Sequence, residues 1–224
     1  LRHLEDRIHL TQVSAMRLPP PRAVTWLLGI TIAAWVIAEA LGLSDWVGLR
    51  AGFVPARVLG PMVIGAVPVW LTPLTATLVH GGIIHLGFNM LMFGYCGRFV
   101  EYAVGAVGIV ILYVVGAYAA AGLQYLTGPT MLIPMVGASG AISAVVGAYA
   151  LLYSQKRGSV EKLGRFGHWL HVLWLAAAWI AVQLLIALAT IASHIAIAVA
   201  AHIGGFIAGL LLARPLLLWR YRNA

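Results

Sequence analysis

Apolar residues run through this chain in long blocks, separated by short intervals rich in glycine, proline or basic residues. A membrane-crossing helix needs about 20 apolar residues, and five blocks reach that length: 23–43, 83–102, 104–126, 169–191 and 197–218. A sixth block, 139–153, is shorter. The pattern predicts an all-α polytopic membrane protein, a bundle of six transmembrane helices whose fourth member is short and partly submerged. One helical domain, 23–218, is expected between a cytoplasmic N-terminal tail, 1–22, and a C-terminal tail, 219–224. The interval 44–81 carries Gly48, Gly52, Pro55, Gly60, Pro61, Pro68 and Pro73, yet Phe53, Val54, Ile64 and Trp70 make it too apolar for an ordinary loop. An interfacial, partly embedded structure fits it better.

The short block sets the depth of its first residue. Residues 139–153 make a helix of about 22 Å at 1.5 Å per residue, against a hydrocarbon core of about 30 Å. With Tyr153 held at one face by Gln155, Lys156 and Arg157, Ser139 falls below the opposite surface. The interval 127–138, with Pro129 and Pro134, must then dip inward as non-helical backbone. Such backbone is tolerated at that depth only inside protein or beside a water-filled cavity, so a wet pocket is expected at Ser139.

Composition agrees with the pattern. The chain is 62% hydrophobic and 9% charged, where soluble domains carry about 25% charged residues. Its net charge of +8 raises nucleic acid as a partner, but position decides. Every Lys and Arg except Arg50 and Arg57 falls on one side of the six-span scheme. The positive-inside bias places both termini in the cytoplasm and makes these residues membrane anchors, so no nucleic-acid partner is expected. Residues 1–22 show no short apolar core with a cleavage site. Cys96 is the sole cysteine; it excludes an intrachain disulfide and reads as packing.

Candidate chemistry lies in the few polar residues of the apolar blocks. Ser139 stands at a helix N-terminus, where unpaired N–H groups and the positive end of the dipole suit an oxyanion. Gly137 and Gly140 flank it. The same stretch can also be read as a small-residue packing face with a capping serine. In the last block, Ala201, Gly205 and Gly209 share one face, matching Gly140, Ala144 and Ala148 in the fourth. His202 lies on that face within reach of Ser139, as a general base or as a structural histidine. His85 and Asn89, at i and i+4, share a helix face and can both donate to an oxyanion. His80, on the outer flank, reads as structural. A metal site of His80, His85, His194 and His202 is the competing chemistry, but no carboxylate or HExxH pattern accompanies it. The acids are Glu5, Asp6, Glu39, Asp45, Glu101 and Glu161; none has a catalytic setting, so a Ser-His dyad is expected rather than a triad.

The chain resembles the rhomboid family of intramembrane serine proteases over about 70–213. The resemblance rests on His80-Gly-Gly-Ile-Ile-His85-Leu-Gly-Phe-Asn89, Val100-Glu101, Gly137-Ala138-Ser139-Gly140 and Ala201-His202-Ile203-Gly204-Gly205-Phe206-Ile207-Ala208-Gly209. It implies Ser139 as nucleophile and His202 as base, with His85, Asn89 and the Ser139 amide as oxyanion hole. His80, Ser143, Gly137, Gly140, Gly205 and Glu101 form the supporting set. It implies cleavage of single-span membrane proteins near the outer face of a lipid bilayer, without metal or other cofactor, and a bacterial plasma-membrane location with the site opening outward. An inactive relative that binds membrane clients is the alternative. Two positions depart from the family pattern. Trp70 is followed by Leu71-Thr72 where Trp-Arg is common. Ser143 stands four residues after Ser139, where an aromatic residue often faces the histidine; its hydroxyl is expected to help position His202.

Overall fold

The computed structural model describes residues 20–60, 64–153, 164–189 and 198–222. Most of the expected N-terminal tail, the anchors Lys156, Arg157 and Lys162, and His194 lie outside the described residues. The helices are α1 (Ala23–Ala40), α2 (Ser44–Ala51), α3 (Ile83–Thr127), α4 (Ser139–Tyr153), α5 (Gly164–Ala189) and α6 (Val199–Arg220), with single turns at Pro55–Arg57, Thr72–Thr75 and Ala76–Leu78. Among the described residues there is no strand, only one isolated antiparallel bridge between Phe53 and Met135. Helices α1, α3 and α6 are each long and apolar enough to cross a membrane; α4 is a shorter apolar helix.

Helix α3 is two helices joined at Gly105, whose φ of +83° and ψ of 168° break the spiral. Glycine is the residue that adopts this conformation without a Cβ penalty. The two arms run antiparallel: Phe93 on the first meets Tyr113 on the second with ring centroids 5.3 Å apart. At the far end the Arg220 guanidinium donates to the carbonyls of Glu101 and Tyr102 beside the turn.

Helix α4 is the centre of the bundle. Residues Ser139–Ala148 are buried without a break, the signature of a helix enclosed on all sides. Its small residues let neighbouring backbones close in. A Cβ at Gly140 would stand 2.6 Å from Ala120 Cβ, and one at Gly116 would stand 2.5 Å from Ala144 Cβ. A Cβ on Gly205 or Gly209 of α6 would run into the carbonyl oxygens of Gly140 and Ala144. Gly205→Val is therefore expected to lower stability by about 2 kcal/mol or more through overpacking, read as a fall in melting temperature in detergent.

The interval before α3 lies over one end of the bundle. Its bridge from Phe53 to Met135 is closed by two backbone hydrogen bonds of 2.8 and 3.0 Å. Trp46, Leu49, Leu59, Ile64 and Trp70 are exposed, an apolar outer surface that suits a membrane interface better than water. Trp70 is anchored through its backbone, its carbonyl accepting from Tyr118 Oη at 2.9 Å. Thr72 is buried and donates to Val69 O at 2.6 Å.

The opposite end is closed by Glu101. Its Oε1 accepts from the backbone N–H groups of Arg22 and Ala23 at 2.8 and 3.0 Å, and its Oε2 from Val24 at 2.9 Å. These are N–H groups at the start of α1, which have no intrahelical acceptor. A distant carboxylate thus caps α1 and meets the positive end of its dipole. Tyr153 ends α4 at the same level, its hydroxyl donating to Phe99 O at 2.7 Å.

Candidate active site

Ser139 is the first residue of α4 and His202 lies in the first turn of α6. The close approach of the two helices at Gly205 and Gly140 puts these side chains face to face. His202 Nε2 is 2.8 Å from Ser139 Oγ, with both residues buried. His202 Nδ1 has no hydrogen-bond partner among the described residues. Glu39 accepts from Ser44 Oγ at 2.8 Å, Asp45 lies in the first turn of α2, and Glu101 caps α1 at the other end of the bundle. Glu5, Asp6 and Glu161 lie outside the described residues. The pair is therefore a serine and a histidine with no described carboxylate behind the imidazole.

The backbone enters α4 through a bend at Gly137, whose φ is +108°. Its N–H donates to Ala76 O at 2.9 Å. The next N–H, of Ala138, meets His80 Nε2 at 3.4 Å. His80 precedes α3 and is buried; burial, then the neighbouring His85, lowers its pKa to about 3. It is thus a neutral acceptor that holds the segment leading to Ser139. Its own carbonyl accepts from Trp35 Nε1 at 3.2 Å, so α1 steadies the same loop.

His85 and Asn89 come from successive turns of α3 and converge on Gly137. A Cβ at Gly137 would lie 2.7 Å from His85 Nε2 and 3.7 Å from Asn89 Nδ2. Glycine at 137 thus satisfies the positive φ and leaves room for the imidazole. His85 Nδ1 accepts from Gly81 N–H at 3.4 Å. This bond assigns the lone pair to Nδ1 and the proton to Nε2, the nitrogen facing Gly137. Asn89 is fully buried, and neither its Nδ2 nor its Oδ1 has a partner among the described residues. A buried amide with unmet hydrogen-bonding capacity is costly, as is usual where a ligand atom completes the set.

Ser143 reaches His202 only indirectly. Its hydroxyl does not bond His202; it donates to Ser139 O at 2.7 Å and accepts from Trp179 Nε1 at 2.7 Å. The physical reason is the i+4 spacing, which sets the Ser143 hydroxyl over the Ser139 carbonyl. The aromatic residue beside His202 is Trp179 of α5, with ring centroids 6.5 Å apart and planes at 81°. Sequence reasoning overlooked Trp179, because an indole in an apolar block carries no sign of what it faces.

Of the residues singled out from the sequence, the structure gathers Ser139, His202, His85, Asn89, His80, Ser143, Gly137, Gly140 and Gly205 at one end of the bundle. Glu101 stands at the other. Among the described residues, no group of three His, Cys, Asp or Glu side chains could hold a metal ion. No curated protein matches the chain. A family model described as Rhomboid domain matches residues 68–219. That match takes in every residue gathered around Ser139 and well over half the chain, so the protein belongs to the rhomboid family.

Proposed function

We propose that the protein is an intramembrane serine endopeptidase that cleaves membrane proteins in or near their transmembrane segments. The observation that carries this reading is the 2.8 Å contact between His202 Nε2 and Ser139 Oγ, buried at the N-terminus of α4. His202 Nε2 takes the hydroxyl proton as Oγ attacks the scissile carbonyl carbon. The C=O electron pair moves onto oxygen. That oxyanion is met by the Ser139 N–H, His85 Nε2–H and the Asn89 amide. Collapse breaks the C–N bond, and the imidazolium returns its proton to the leaving amine. A water, deprotonated by His202 in turn, then hydrolyses the acyl ester and regenerates Ser139.

The two arms of α3, together with α1, α4, α5 and α6, are read as six spans. The Lys and Arg distribution supports cytoplasmic termini with the site opening on the other side. Substrates are single-span proteins whose segments present a locally unwound, small-residue stretch at the depth of Ser139. The test is cleavage in proteoliposomes of a model single-span protein with small residues near the outer end of its span. Wild type is expected to release two fragments and Ser139→Ala none. A wild type that retains the model protein uncut on affinity capture would favour a client-binding role instead.

A further inference from the structure

In the described structure, the base of the proposed dyad lacks the support that usually orients a catalytic imidazole. His202 is bonded to Ser139 through Nε2 but has no described partner at Nδ1. A carboxylate at that nitrogen would fix ring orientation and tautomer. Without one, orientation must come from what packs against the ring. Trp179 does so edge-on, at 6.5 Å and 81°.

Trp179 is itself held on two sides. Its ring stacks on Phe88 with centroids 5.8 Å apart and planes 24° from parallel. Its Nε1–H donates to Ser143 Oγ, and the same hydroxyl donates to the carbonyl of Ser139. Ser143 is fully buried and Trp179 nearly so. Both hydrogen-bonding roles of the Ser143 hydroxyl are therefore used at once. The result is a closed circuit: nucleophile side chain to His202, His202 to the indole, indole to Ser143, and Ser143 back to the nucleophile's own carbonyl. The small side chain at 143 matters twice, since it leaves space for the indole from α5 and supplies the acceptor for it.

We infer that Trp179 is a positioning residue for His202, acting with Ser143 as one unit that ties α5 to the dyad. The inference rests on the proposed function, and it gives α5 a definite part in that function. When the indole is seated on Ser143, the imidazole is held in line with Oγ. When it is not, the ring loses that edge contact while Nδ1 still has no described hydrogen bond to hold its orientation. Small misplacements of a reacting group carry large rate penalties, so the effect falls on the chemical step rather than on binding.

The test is the rate of fluorophosphonate labelling of the full chain in detergent, followed against probe concentration. The proteins are wild type, Trp179→Phe, Ser143→Ala and the double variant, each checked by melting temperature. Trp179→Phe keeps an aromatic ring and loses the N–H; Ser143→Ala loses the acceptor. Each single variant is expected to lower the limiting rate about 10-fold, the worth of one buried hydrogen bond. The half-saturating probe concentration should stay within about 2-fold of wild type. The double variant should be no slower than the slower single, because both break the same bond. Losses that multiply in the double variant would mark two separate packing defects and overturn the inference. A wild type that labels, with Trp179→Phe and Ser143→Ala labelling equally fast, contradicts this inference alone. If Ser143→Ala does not fold, Trp179→Phe decides by the same rate. A folded wild type that does not label contradicts the proposed function and removes this inference with it.

Discussion

Replacing His202 with Ala is expected to slow acylation of Ser139 about 1,000-fold, within the range that a positioned general base contributes. A serine hydroxyl is a weak nucleophile unless a neighbouring group takes its proton. Among the described residues, His202 Nε2 is the group within hydrogen-bond distance of Ser139 Oγ. Ser139→Ala removes the nucleophile and should abolish covalent labelling altogether. The double variant should be no worse than Ser139→Ala, since the two side chains act as a unit. The fold should survive both changes. The contact joining α4 to α6 is made by the Gly205 and Gly209 backbones against Gly140 and Ala144, not by the dyad. The measurement is labelling kinetics in parallel with melting temperature, so that a lost base is not mistaken for a lost fold.

Glu101→Ala is expected to have the largest effect on stability, lowering it by about 3 kcal/mol. One buried carboxylate accepts three backbone N–H groups, those of Arg22, Ala23 and Val24. Truncation strands all three at the start of α1 and takes a negative charge away from the positive end of that helix. Glu101→Gln keeps one acceptor oxygen and turns an NH2 toward the remaining N–H, so about half of the loss is expected. The readout is melting temperature in detergent, with labelling of the folded fraction alongside. Because Glu101 lies at the end of the bundle away from Ser139, the labelling rate per folded molecule should be unchanged. A Glu101→Ala protein that melts with wild type would mean that this cap does not hold α1.

The sequence made some of this legible because polar residues are scarce inside its apolar blocks. Within 139–153 the hydroxyl-bearing positions are Ser139, Ser143 and two tyrosines, and 197–218 holds a single histidine. Helical spacing on small-residue faces then leaves few ways for Ser139 and His202 to be arranged. The bend between the second and third blocks was legible for a related reason. The two runs are each long enough to span and meet at 103, and the structure breaks the helix two residues later, at Gly105.

Other features leave no local trace. The N–H groups capped by Glu101 are 77 to 79 residues away, and no pattern within either segment announces that meeting. Trp179 is one of eight tryptophans, in a run where an aromatic residue is unremarked. Spacing puts Ser143 near His202 but does not say through what: its hydroxyl meets the Ser139 carbonyl and the Trp179 indole. Boundaries also shifted where hydropathy and helicity part. The apolar block starts at 169, but α5 begins at Gly164, because a helix continues past the point where its residues cease to be apolar.

The central claim is that His202 activates Ser139. Its most direct test is fluorophosphonate labelling of the purified chain in detergent, with the adduct located by mass spectrometry in wild type, Ser139→Ala and His202→Ala. The account predicts a single adduct on Ser139 in wild type, none in Ser139→Ala, and labelling slowed about 1,000-fold in folded His202→Ala. An adduct on another residue, or undiminished labelling of Ser139 in His202→Ala, would contradict it.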